Sequence, residues 1–167
     1  MKASESWTNL LQQRLKSENL PHRVINASIS GETTNGGLSR LAQALDAHKP
    51  KIVIIELGAN DGLRGLPLNL MRKNLSRMIE LCQRVKTQVL LVGVRLPPNY
   101  GPRYTHDFTQ IFTELAEKYN TGVAPFLLAD VATKPQLMQS DGLHPNASAQ
   151  KQLLDTLWPH LLPLLGR

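Results

Sequence analysis

Asp141-Gly142-Leu143-His144-Pro145 sets an acid and a histidine three residues apart, on a glycine turn closed by proline. A carboxylate so placed can hold one ring nitrogen of the imidazole and leave the other free to move a proton. Histidine suits that task near neutral pH, with an unperturbed pKa of about 6.5. The same residues also read as an ordinary Asp-Gly turn, with proline opening a last helix. Two other places offer what a proton-transfer pair lacks. Gly31 could present a backbone N–H with no side chain in the way, and Asn60 could aim an amide at the same oxygen. Such donors stabilise the charge of a tetrahedral acyl-transfer intermediate, each worth roughly 10²–10³ in rate. Their plainer readings are a turn glycine and a strand-ending Asn-Asp-Gly turn.

The elements that must carry these residues follow from apolar periodicity. Trp7, Leu10, Leu11 and Leu15 predict a helix over 4–18, capped by Ser4 or Ser6 and stopped by Asn19 and Pro21. Val24-Ile25-Asn26-Ala27 reads as a short strand and Ser28 to Gly37 as a long loop. Leu38, Leu41, Ala42 and Leu45 mark a second helix, closed by His48, Lys49 and Pro50. Ile52 to Leu57 is nearly all apolar and β-branched without alternation, as expected of a parallel strand covered on both faces. A helix over Pro67–Lys86 follows, then a strand over Val89–Val94 ended by Leu96-Pro97-Pro98-Asn99-Tyr100-Gly101-Pro102. Tyr104 to Tyr119 is helical, Gly122-Val123-Ala124 a weak strand, and Phe126 to Asp130 a possible helical turn. The last helix runs from about Pro145 to Leu157, with Pro159 and Pro163 keeping its tail irregular.

Strand–helix alternation of this kind predicts an α/β domain with a parallel sheet. Ligands of such sheets bind beyond the carboxyl ends of the strands. The loops beginning at Ser28, Gly58, Leu96 and Pro125 are therefore expected at one rim.

The totals narrow the class. At 167 residues the chain fits one domain, with 41% apolar and 19% charged residues, enough for a compact core. The net charge of +6 admits phosphate-bearing partners, but the basic residues are scattered and read as a solvated surface rather than a nucleic-acid site. Cys82 is the single cysteine, so no intrachain disulfide forms, and its apolar neighbours on a helix give it a buried role. The five histidines show no metal-ligand spacing, and Gly31-Glu32-Thr33-Thr34-Asn35-Gly36-Gly37 matches neither a dinucleotide fingerprint nor a P-loop. No apolar run approaches the 18 or so residues of a membrane span, and residues 1–6 do not open a signal peptide.

Three stretches carry a resemblance. Gly31 in Asn26-Ala27-Ser28-Ile29-Ser30-Gly31, Asn60 in Gly58-Ala59-Asn60-Asp61, and Asp141 with His144 resemble three blocks of the SGNH (GDSL) hydrolases, in that family's order and at similar separations. The likeness covers essentially all 167 residues. It is nearest to the bacterial acyl-CoA thioesterase I / lysophospholipase L1 group, whose substrate-side loop Leu96 to Gly101 also resembles. The resemblance implies a three-layer α/β/α, flavodoxin-like fold. It makes Asp141 the orienting acid, His144 the general base, and Gly31 and Asn60 the oxyanion donors. Substrates would be fatty acyl esters or thioesters, hydrolysed through an acyl-serine without metal or cofactor. Leu96, Pro97 and Tyr100 would line an acyl groove, or else simply pack a proline-stiffened loop on the rim.

The family's fourth block, Gly-Asp-Ser-Leu, ends its first strand and carries the nucleophilic serine. These 167 residues do not contain it. By the resemblance Met1 aligns after that block, so the expectation is one domain over 1–167, incomplete at its start and nearly inactive alone. The nucleophile and a central strand would then come from an upstream segment, with a signal peptide and a periplasmic or secreted location if that segment carries one, or the strand would come from another chain as a swap or complement. Ser28 and Ser30 flank the oxyanion glycine, Ser4 and Ser6 belong to a helix start, and Ser140 shapes the acid's loop; none sits on a nucleophile turn. The alternative is a non-catalytic acyl- or lipid-binding relative.

Overall fold

The computed structural model describes residues 6–166. Its helices are Trp7–Ser17 (α1), Thr34–His48 (α2), Ala59–Leu63 (α3), Leu68–Arg84 (α4), Pro102–Tyr119 (α5) and Gln150–Leu161 (α6). Its strands are Ile52–Ile55 (β1), Gln88–Val92 (β2) and Gly122–Ala124 (β3). The chain divides into two compact units. One holds the chain up to Ser28 with Leu127–Pro159, and the other holds Ile29–Phe126 with the residues from His160 on.

The second unit is built on the sheet. β1 pairs with β2 and β2 with β3, both parallel, in register Ile52↔Gln88 and Leu90↔Gly122. β2 lies in the middle and its Val89, Leu90, Leu91 and Val92 are buried, as the unbroken apolar run requires. α4 turns Met71, Leu75, Met78, Ile79 and Cys82 inward, and α5 adds Phe108, Ile111, Phe112 and Leu115. Together with Leu45, Ile55 and Leu91 these form the core. Burial pushes the Cys82 thiol up to about 11, which makes it a packing group and not a reactive one. β1 departs from expectation: Ile52, Val53 and Ile54 are only half-buried. Its second edge has no strand partner among the described residues.

In the first unit α1 and α6 hold each other. The Trp7 N–H donates to Gln150 Oε1 (2.9 Å), Arg14 pairs with Asp155 (2.8 Å), and the Arg14 guanidinium lies 4.4 Å from the Trp158 ring centre. Ser6 is the N-cap of α1 without a side-chain cap bond, and Ser4 lies outside the described residues. Three readings need correction. Val24–Ala27 is not a strand; residues 19–29 form neither helix nor strand. Strand character depends on a neighbour for the backbone, and here a side chain takes that part. Gln12 Oε1 accepts from the Val24 N–H (2.8 Å) and Gln12 Nε2 donates to the His22 carbonyl (3.3 Å). Residues 126–130 form turns and not a helix. α6 continues through Pro159 to Leu161 instead of fraying at 157, since Leu157, Trp158 and Leu161 are buried on its inner face.

Candidate active site

The acid–base pair sits on a closed loop of the first unit. An antiparallel bridge between Met138 and Pro145 shuts the loop, and the Gln139 N–H donates to the His144 carbonyl (2.7 Å) across it. Gly142 takes φ +65°, the left-handed conformation that an Asp-Gly turn calls for. Asp141 then divides its two oxygens. Oδ1 accepts the backbone N–H groups of Leu143 (2.9 Å) and His144 (3.0 Å), while Oδ2 lies 2.7 Å from His144 Nδ1. The backbone N–H of His144, its ring and then the N–H of Leu143 hold the Asp141 carboxyl down at about 2. A carboxylate facing Nδ1 favours the tautomer with its proton on that nitrogen, and in that tautomer Nε2 can act as a base. The His144 side chain is 67% exposed, so that nitrogen meets solvent.

The two candidate donors lie in the second unit and are tied to one another. β1 runs out through Glu56 and Leu57 into Gly58, which takes φ +117° and delivers the chain to α3. Asn60 in the first turn of α3 donates from Nδ2 to the Glu32 carbonyl (3.0 Å). Arg64, one turn on, donates from Nη2 to the Gly31 carbonyl (3.0 Å). Gly31 takes φ +76°, and the space where a Cβ would stand is open but for Arg64 at 4.0 Å. Glu32 is itself clasped by Arg40 in a paired, two-oxygen contact. Asn60 and Arg64 thus both hold the backbone of the Gly31–Glu32 turn.

The apolar candidates separate. Leu96 is a core residue, 9% exposed, packed so closely on Gly62 that a Cβ there would stand 2.6 Å from it. Pro97 precedes a 3₁₀ turn over Pro98–Tyr100. Tyr100 donates its hydroxyl to the Leu63 carbonyl (2.9 Å) and stacks on Tyr104, whose own hydroxyl reaches the Leu66 carbonyl (3.2 Å). The tyrosines therefore hold the loop after α3.

Serine is absent from the stretches that follow the strands of the described residues: 56–58, 93–101 and 125–134 contain none. Ser28, Ser30 and Ser140 are exposed loop residues. Sequence reasoning missed Thr34, Asp61 and Asn74, which are buried and mutually hydrogen-bonded beneath the donor turn. Asn74 carried a signal, as a polar residue on the apolar stripe of α4 between Met71 and Met78.

Comparison with known proteins extends these local findings to the whole chain. A family model described as GDSL-like Lipase/Acylhydrolase matches residues 2–152. Esterase TesA of Pseudomonas aeruginosa is 46% identical over 162 residues, covering 97% of this chain and 81% of its own. Thioesterase 1/protease 1/lysophospholipase L1 of Escherichia coli K12 is 40% identical over 166 residues, 99% of this chain and 78% of its own. The crystal structure of the psychrotrophic esterase EstA from Pseudoalteromonas sp., inhibited by monoethylphosphonate, superposes with a TM-score of 0.95 at 41% identity, covering 100% of this chain and 91% of that one. The parallel sheet, the bound acid–histidine pair and these matches agree, and the chain belongs to the GDSL-like lipase/acylhydrolase family of SGNH hydrolases.

Proposed function

We propose that the protein is a serine hydrolase of acyl esters and thioesters, with Asp141 and His144 as its acid–base pair and Gly31 and Asn60 as its oxyanion donors. The observation that carries this reading is the Asp141–His144 geometry. A carboxylate fixed by two backbone N–H groups lies 2.7 Å from Nδ1, the arrangement that lets Nε2 act as the base. In the reaction His144 Nε2 takes the proton of a serine hydroxyl as its oxygen attacks the acyl carbon. The carbonyl oxygen becomes an oxyanion facing the Gly31 N–H and the Asn60 amide. Collapse expels the alcohol or thiol, which receives the proton back from His144, and leaves an acyl-serine. Water, deprotonated by the same nitrogen, then attacks the acyl-serine and releases the carboxylic acid. The chemistry calls for no metal or cofactor. Leu96 belongs to the core beneath the rim, so an acyl groove would draw on Pro97 and the flank of Tyr100.

The serine comes from outside these 167 residues, on a segment of Gly-Asp-Ser-Leu type. Two observations support this: among the described residues no serine lies in the stretch after a strand, and β1, whose Ile52, Val53 and Ile54 are half-buried, has no strand partner on its second edge. The test is turnover of a chromogenic acyl ester, such as a p-nitrophenyl ester, by two proteins. These residues alone should show at most the residual catalysis of binding and oxyanion donors, about 10³–10⁴ over water. A version preceded by an apolar strand ending in Gly-Asp-Ser-Leu should turn over at rates typical of enzymes, and lose that on His144→Ala. Fast turnover by the 167 residues alone, abolished by His144→Ala, would require a different nucleophile. An inactive extended version that still binds acyl esters would favour a binding protein.

A further inference from the structure

We propose that Asp61, acting through Thr34, is a positioning residue that fixes the Gly31 turn against Asn60. This rests on the reading of Gly31 and Asn60 as oxyanion donors. Thr34 is 0% exposed and Asp61 2%. The Thr34 N–H donates to Asp61 Oδ2 (2.8 Å) and its hydroxyl to Oδ1 (2.5 Å). Asn74, also buried, donates from Nδ2 to Thr34 Oγ1 (3.1 Å), completing the hydroxyl's bonds.

No cation among the described residues pairs with this carboxylate. What answers it is the start of α2. Thr34 is the first residue of that 15-residue helix, whose own first turn holds no acid. Asp61, 27 residues along the chain, thus supplies the anion that the helix N-terminus favours. As a stabilising device this is an expensive choice, because a buried charge is seldom better than an apolar pair of the same shape. An apolar pair would hold α2 on α3 equally well. It would not fix direction, and direction is what two hydrogen bonds on one carboxylate supply.

The contacts run between the same two short stretches. Asn60 binds the Glu32 carbonyl, Asp61 binds Thr34, and Arg64 binds the Gly31 carbonyl. Gly31 has no side chain and open space around its α-carbon, so packing does not locate it. Of the three contacts only Asp61–Thr34 is buried, and it is therefore the one that water does not loosen. A shift of about 1 Å in a donor costs on the order of 10²-fold in rate.

Two measurements test this. In ¹⁵N NMR of the 167-residue chain, Asp61→Asn and Thr34→Val should shift the Gly31 amide and the Asn60 side-chain amide. They should also speed exchange of the buried Thr34 amide by 10-fold or more, leaving Leu90–Val92 unmoved. Thr34→Ser, which keeps both donors, should restore the wild-type signals. In the serine-bearing version, Asp61→Asn and Thr34→Val should each lower kcat about 10–100-fold with KM within twofold, while Thr34→Ser should keep the wild-type kcat. Unmoved Gly31 and Asn60 signals, or shifts spread evenly into β2, would overturn the proposal. If Asp61→Asn does not fold, Thr34→Val carries the test: it removes the hydroxyl's bonds to Asp61 and from Asn74 and keeps the Thr34 N–H bond to Asp61. Should the serine-bearing version be inactive while the NMR shifts appear, the hydrolase reading fails and the positioning role stands.

Discussion

Asp141 holds His144 twice, by the backbone N–H at 3.0 Å and by Nδ1 at 2.7 Å, so one carboxylate fixes both where the residue sits and how its ring is turned. The first prediction follows from charge. These bonds and that of Leu143 favour the ionised acid and hold it at about 2, below the ordinary 3.8. A depressed carboxyl contributes stability to the loop above its unfolded value, and that contribution is lost as pH falls from about 4 through about 2. Carboxyl ¹³C NMR should place the Asp141 midpoint near 2 and show it rising on His144→Ala. A midpoint near 4 in the unmodified chain would mean that the loop is not closed in solution.

In the serine-bearing version, Asp141→Asn should keep the fold and lower kcat about 10⁴-fold, because an amide at this position can donate to Nδ1 and drive the proton to Nε2. The matching check is KM, which should barely move. A loss confined to KM would assign Asp141 to substrate binding.

How far the sequence disclosed all this depends on how far apart the causes lie. Asp141 and His144 were legible because acid, turn glycine and histidine are neighbours, and a three-residue reach needs no tertiary knowledge. The strands at Ile52, Val89 and Gly122 were legible because buried parallel strands are written as apolar runs. The start of α2 was not. Residues 34–37, Thr-Asn-Gly-Gly, read as loop by propensity, and they are helical because Thr33 caps Gly36 and Asp61 anchors Thr34 from elsewhere. Val24–Ala27 failed for the converse reason, since its residue types suit a strand and no strand among the described residues pairs with it. What Tyr100's hydroxyl does was not legible either, since its partner, the Leu63 carbonyl, lies 37 residues away.

Gly31→Ala and Asn60→Ala should differ although both touch the oxyanion turn. A side chain at φ +76° costs about 1–2 kcal/mol, so Gly31→Ala should lower both stability and rate. Asn60 is half-buried, and its removal should cost roughly 10²–10³ in kcat with a smaller effect on unfolding. Urea denaturation beside ester kinetics separates them. Equal losses of stability would show that Asn60 mainly ties down the loop.

Gly62→Ala tests the packing beneath α3. The added Cβ would stand 2.6–2.7 Å from Leu96 Cδ atoms and Phe108 Cε2, closer than real Cβ contacts come. Alanine gains up to about 1 kcal/mol of helix propensity over glycine, and overpacking costs about 1–3 kcal/mol. Because both neighbours are buried and have little room to yield, the clash should win. A melting temperature lowered by a few degrees is expected, and a raised one would mean that Leu96 can move aside.

Glu56 follows directly on β1, whose second edge has no strand partner among the described residues, and its ionisation should report on that edge. Desolvation by surrounding atoms, with no offsetting charge or donor, pushes its carboxyl up toward about 7. The residue nevertheless stays exposed, and those two properties pull against each other. Water at an exposed carboxyl limits desolvation, so the expected midpoint lies between 4.5 and about 7. A raised carboxyl favours the folded state while protonated. Its contribution is complete below the unfolded value and is lost as pH rises through the folded one. Glu56→Gln should therefore leave stability at pH 4 unchanged and raise it at pH 8, by no more than about 1 kcal/mol after the discount for solvent. In the serine-bearing version, where a strand is proposed to cover the edge of β1, the same substitution should have a larger effect. Equal effects in the two versions would mean that the added segment leaves the β1 edge open.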